Sequence, residues 1–143
     1  MGLAVMGKVQ EFRPRVPEAE KITINLGYVD LGRIDLLVSE GFYSNRSDFI
    51  RTAIRERLDR HDGEVRRTVE RQSLDLGLRT WTRAELEAAR DRGERLHVQV
   101  VGLAVIAEDV SPELAREAIA SVHVLGALQA PAAVKAALAD RLR

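Results

Sequence analysis

The chain has 143 residues, enough for one ordinary domain or two very small ones, and is 45% hydrophobic but only 4% aromatic. Lys plus Arg and Asp plus Glu are 22 each, and by segment they run 10 to 10 in residues 1–63, 8 to 7 in 64–95 and 4 to 5 in 96–143, so any basic binding face has to be local or assembled from copies. With no cysteine, disulfides, thiolate nucleophiles, cysteine-type zinc sites and iron–sulfur clusters are excluded, which suits a cytoplasmic protein.

Residues 1–19 read as a flexible arm, because Pro14 and Pro17 disfavour regular structure and large apolar residues are few. The arm shows neither a signal-peptide core nor a cleavage site, and Met6 stands where a myristoylation site needs Ser or Thr. No apolar run approaches the roughly 18–20 residues of a membrane span, so no membrane partner is expected.

Residues 21–26, KITINL, alternate Lys21, Thr23 and Asn25 with Ile22, Ile24 and Leu26, the pattern of a half-buried strand. No comparable strand follows for about 70 residues, and an unpaired strand leaves its backbone groups unsatisfied. A helix is predicted next, with Asp30 as N-cap, Leu31, Ile34, Leu37 and Val38 on one face, and Gly41 as its stop. A second helix follows, capped by Ser44 or Asn45, with Phe49, Ile50, Ala53, Ile54 and Leu58 as its apolar stripe and His61-Asp62-Gly63 as its end.

A strand and two amphipathic helices cannot close a core alone. Two copies can, if their strands pair antiparallel over four helices, with Ile22, Ile24, Leu26, Phe49, Ile50 and Ile54 forming the dimer core. Lys21, Thr23 and Asn25 then project from the opposite face of a two-stranded ribbon, a shape that fits the major groove of B-DNA. Lys can donate to guanine or phosphate, Asn can pair with adenine, and Thr can hydrogen-bond or touch a thymine methyl. Alternation alone favours an ordinary solvated polar face.

The stretch KITINL…VDLGRIDLLVSEGFYSNRSDFIRTAIRERL, over about residues 20–61, resembles the ribbon-helix-helix DNA-binding proteins of the Arc, MetJ and CopG type. The resemblance rests on the strand alternation, on Gly41, and on YSNRSDFIR, close to the family's turn into its second helix. It implies base contacts by Lys21, Thr23 and Asn25, and phosphate contacts around Ser44, Asn45, Arg46 and Ser47. A helix N-terminus is in any case a natural anion site, although Ser44 and Ser47 can equally serve as plain caps. Strongly binding members often carry more basic charge on the strand face than one Lys per chain, so this sequence points to tandem or higher-order binding.

Residues 63–95 read as a helical connector, with Thr82 and Glu85 at capping-box spacing before a short helix that stops at Gly93. The last segment, 96–143, alternates strand-like LHVQVVGLAVIAEDV and SVHVLGALQA with helices begun at Pro112, behind Ser111 as N-cap, and at Pro131. Val98–Gly102 aligns with Val122–Gly126 at an offset of 24, an internal β-α repeat with too few copies to bury its own core. Gly102 and Gly126 are read as relieving crowding in or beside a strand.

The fold expected is therefore α+β: a flexible arm (1–19), a ribbon-helix-helix dimer unit (20–62), a helical connector (63–95) and a small β-α-β-α repeat (96–143). The function expected is sequence-specific binding of double-stranded DNA by a transcriptional repressor or regulator. The repeat would build tetramers or larger assemblies. The alternatives are an antitoxin-like regulator gripping a protein partner and a polymer-forming structural protein. His61, His97 and His123 have no neighbours at catalytic or metal-ligand spacing, so no enzyme activity, metal or cofactor is expected.

Overall fold

The computed structural model describes residues 19–143. The arm expected over 1–19 lies, except for Ala19, outside the described residues. Two helices come first, α1 (Tyr28–Ser39) and α2 (Arg46–Arg60), followed by α3 (Asp62–Gln72). Strand β1 (Asp75–Trp81), helix α4 (Arg83–Asp91), strand β2 (Leu96–Ile106), helix α5 (Pro112–Ala118), strand β3 (Ile119–Gln129) and helix α6 (Ala132–Ala137) complete the α+β chain, with a 3₁₀ turn at Ala139–Arg141.

Helix ends follow capping chemistry. The Asn45 side chain accepts from the Asp48 amide at 2.8 Å, and Thr82 and Ser111 do the same for α4 and α5. Gly41, at φ +85, lets the Gly41 and Phe42 amides reach back to Val38 and Leu37, a Schellman stop for α1. Asp30 is not the cap of α1. That helix starts two residues earlier behind Gly27, and the Asp30 carboxylate sits in its first turn, where the helix dipole favours it. Only His61 separates α2 from α3.

The three strands form one parallel sheet in the order β1-β2-β3. Val98 pairs with Val122 and Gly102 with Gly126, and Gly77 of β1 pairs with Gly102. Alternation sends Val98, Val100, Ala104 and Ile106 of β2 and Val122 of β3 toward the helices. There they pack with Trp81, Leu86, Leu114, Ala118, Val134 and Leu138 into the core. Burial of each large side chain in such a cluster contributes about 1.5–3 kcal/mol.

A further expectation needs correction. The connector over 63–95 is not helical throughout, because residues 75–81 are a strand of the sheet. Its register shows why this was hidden: β1 lies at the sheet edge, and all its residues but Trp81 are exposed, so it lacks the apolar content of β2 and β3.

For residues 21–26 the expectation is a strand paired with a second copy of the chain. They form no strand in the single chain; residues 19–27 have no regular secondary structure. Among the described residues the backbone of 21–26 has no strand beside it to pair with, which is the physical reason.

Candidate nucleic-acid interface

Lys21, Thr23 and Asn25 are exposed, but so are the residues between them: Ile22 is 72% exposed, Ile24 54% and Leu26 38%. The segment therefore presents both faces to solvent. The expected dimer-core residues of α2 are in the same condition, with Phe49 and Ile50 half-buried and Ile54 exposed. Tyr43 meets the Phe49 ring edge-on at 5.0 Å between centroids, which fixes the turn against the start of α2.

Ser44, Asn45, Arg46 and Ser47 stand together at the N-terminus of α2. The Ser44 amide donates to the Asp48 carboxylate at 2.9 Å, and the Asn45 side chain accepts from the Asp48 amide, a reciprocal pair that closes the turn. Arg46 forks onto Asp35 of α1, with Nε to Oδ1 and Nη2 to Oδ2 both at 2.8 Å. That bidentate hydrogen bond, aided by the charge of Arg46, holds the Asp35 carboxyl below the usual carboxylate range and pushes the Arg46 guanidinium up.

Sequence reasoning missed both acidic members. Asp48 was detectable, three residues after Asn45 and thus at capping-box spacing. Asp35 was not: it lies eleven residues from Arg46, and only the packing of α1 on α2 brings them together.

His61 contacts Glu64 at 3.0 Å within the first turn of α3, and His97 of β2 contacts the Ser121 hydroxyl of β3 at 2.6 Å. Among the described residues no group of three or more His, Cys, Asp or Glu is placed to hold a metal ion, and no helix is long and apolar enough to cross a membrane.

The exposed alternating segment, the glycine-stopped α1 and the capped α2 follow one another in the order that the resemblance to ribbon-helix-helix proteins implies. The comparison with known families agrees: the chain belongs to the ribbon-helix-helix transcriptional regulator family, whose model matches residues 17–135. The match runs through the sheet as well as the two helices. No curated protein and no solved structure matches the chain.

Proposed function

We propose that this regulator binds DNA as a dimer whose paired KITINL segments lie in the major groove, with Lys21, Thr23 and Asn25 reading bases. The observation that carries the reading is the exposure of Ile22, Ile24, Leu26 and Ile54 in the single chain. Nine large apolar side chains between Ile22 and Leu58 are exposed, far more than a self-contained unit of that size leaves in water. A second copy laid antiparallel along 21–26 covers the apolar side, pairs the bare backbone and leaves the polar side doubled about the twofold axis.

Ser44, Asn45, Arg46 and Ser47 then bind backbone phosphate at the N-terminus of α2, which supplies register and salt-dependent affinity. Arg46 is shared between Asp35 and that phosphate, so Asp35 tempers nonspecific binding. The sheet half assembles dimers into tetramers or larger species, or grips a protein partner. Its helix-free face supports this: Leu76, Leu78 and Leu125 are 60%, 55% and 52% exposed on a parallel sheet, a type normally covered on both sides.

The test is direct. A preferred site is first selected from random duplex DNA. Replacing Lys21, Thr23 and Asn25 together by Ala is expected to remove discrimination of about 1–3 kcal/mol per contacted base while leaving the dimer intact. Arg46→Ala is expected to weaken binding on all sequences and flatten its salt dependence. If the triple variant binds the selected site as tightly as the parent, the groove assignment is wrong.

A further inference from the structure

Gly77, Gly102 and Gly126 stand side by side across the three strands, at φ +126, +136 and +119. A Cβ on Gly102 would lie 2.1 Å from the Gly77 carbonyl oxygen, and one on Gly126 would lie 2.1 Å from that of Gly102. Both contacts run the same way: a carbonyl of one strand fills the space a side chain would take on the next. The row therefore has unlike ends. At Gly77, among the described residues, nothing lies within 4 Å of the missing Cβ, so that end is shaped to receive a carbonyl. Gly126 repeats the conformation of the two glycines whose carbonyls fill the row, and its own carbonyl continues the row outward past β3.

The strand edges complement each other in the same sense. Among the described residues β2 is the only strand neighbour of β1 and of β3. Such edges are open templates for pairing. Leu142 bridges Val122 in parallel, and the Arg143 amide donates to the Val122 carbonyl at 2.9 Å. Leu142 and Arg143 thus stand in the position of a fourth strand, at the level of Val122. Asp75 pairs with Val100 and Val100 with Val124, so another β1 continuing this register would begin at the level of Val124. That lies two residues, about 7 Å, beyond Leu142. The short segment and an added β1 fit end to end in one strand position.

We propose that a second copy of this chain docks its β1 on the outer edge of β3, Gly77 against Gly126, as the next strand of one continuing parallel sheet. The occupant is a second copy because the two ends of the glycine row fit each other and both belong to this chain. The side chains agree with that register. Leu76, 60% exposed in the single chain, comes to lie beside Leu125, 52% exposed, and Leu78 beside Ala127. On the other face, Asp75 enters a groove along β3 that Lys135 and Arg143 line together with Val124 and Leu142, with no acidic residue in its lining. Opposite charges meet there. The pairing is head to tail, so β1 of one copy and β3 of the other stay open to further copies. The inference rests on the reading of the sheet half as an assembly unit and is independent of the DNA reading.

The chain has no native cysteine, so introduced thiols report cleanly. Full-length Leu76→Cys and Leu125→Cys chains are prepared separately, mixed and oxidised. The mixed disulfide is expected at about tenfold excess over either homodisulfide, because neighbouring strands, about 4.8 Å apart, bring these two positions together only between copies. Equal yields, or an excess of either homodisulfide, would overturn the head-to-tail register. A charge pair gives a second reading at the same exposed positions. Leu76→Lys with Leu125→Lys sets like charges side by side at every junction, whereas Leu76→Lys with Leu125→Glu sets opposite ones. Sedimentation is expected to show species larger than the dimer dissociating about fivefold more readily in the first variant than in the second. Equal dissociation counts against the proposal. If larger species form in the parent without the mixed disulfide, head-to-tail pairing fails and assembly through the sheet half stands. If the parent never exceeds a dimer, both fail.

Discussion

The helical half and the sheet half of this molecule handle their apolar residues in opposite ways. Between Glu20 and Arg60 a single residue, Ile34, is buried, while Ile22, Ile24, Leu36, Phe42 and Leu58 are all more than half exposed. From Trp81 to Leu138 the same kinds of side chain close into one core, with Leu86, Val98, Val100, Ile119, Val134 and Leu138 almost fully hidden. The sheet half closes its helix-covered face with its own sequence. The helical half is amphipathic and capped, but among the described residues its two helices leave most of their apolar side chains uncovered, which is the condition expected of a unit completed by a second copy.

The largest effect that tests this contrast should come from Gly102→Ala. Its Cβ would meet the Gly77 carbonyl at 2.1 Å, backbone against backbone, at a φ that side chains avoid. A loss of about 4 kcal/mol or more is expected, seen as a collapse of the denaturation midpoint reported by the lone, buried Trp81. A shift below about 1 kcal/mol would mean that the strands are not locked as described.

Ile24→Asp should act on the other half alone. The dimer dissociation constant is expected to rise at least tenfold, equivalent to about 1.4 kcal/mol. Helix content should then depend on protein concentration, while the Trp81 transition stays where it was. If sedimentation shows the variant and parent equally dimeric, KITINL is not the pairing segment.

Gly41→Ala should cost about 1 kcal/mol, because φ +85 opposes a side chain but open space surrounds the position. Its effect should be confined to the helix signal, in contrast to Gly102→Ala. The smallest effect is that of pH on the Asp35–Arg46 fork. The Asp35 carboxyl is held below its unfolded value of about 3.9, so the pair's contribution is fully present above that value. It fades as pH falls through the lower, folded value. Asp35→Asn should abolish this acid-limb dependence of the helical half and leave Trp81 unaffected, as a pH series of melts would show.

Much of the architecture was legible because capping and hairpin-free punctuation are local. Thr82, Ser111, Pro112 and Gly93 marked helix boundaries from neighbours within a few residues, and the structure places them there. Asp30 misled because an acidic side chain is favourable both at a cap and in the first turn, and only backbone geometry separates the two. Strand β1 was missed because an edge strand needs little apolar content. The one signal that could have found it was Leu76-Gly77-Leu78, the same triplet pattern as Val101-Gly102-Leu103. At the interface, the exposed Lys21, Thr23 and Asn25 and the cluster at α2 were named from sequence, but the engagement of Arg46 by Asp35 was not.

The sequence by itself determined most helices, the caps at Asn45, Thr82 and Ser111, the family and the absence of cysteine chemistry, since each depends on residue types a few positions apart. Only the tertiary structure decided that β1 joins the sheet, that three glycines align into one row, and that the KITINL segment pairs with no strand among the described residues. Those are matters of which distant backbones meet, and that is set by how strands register and how helices pack rather than by any local pattern.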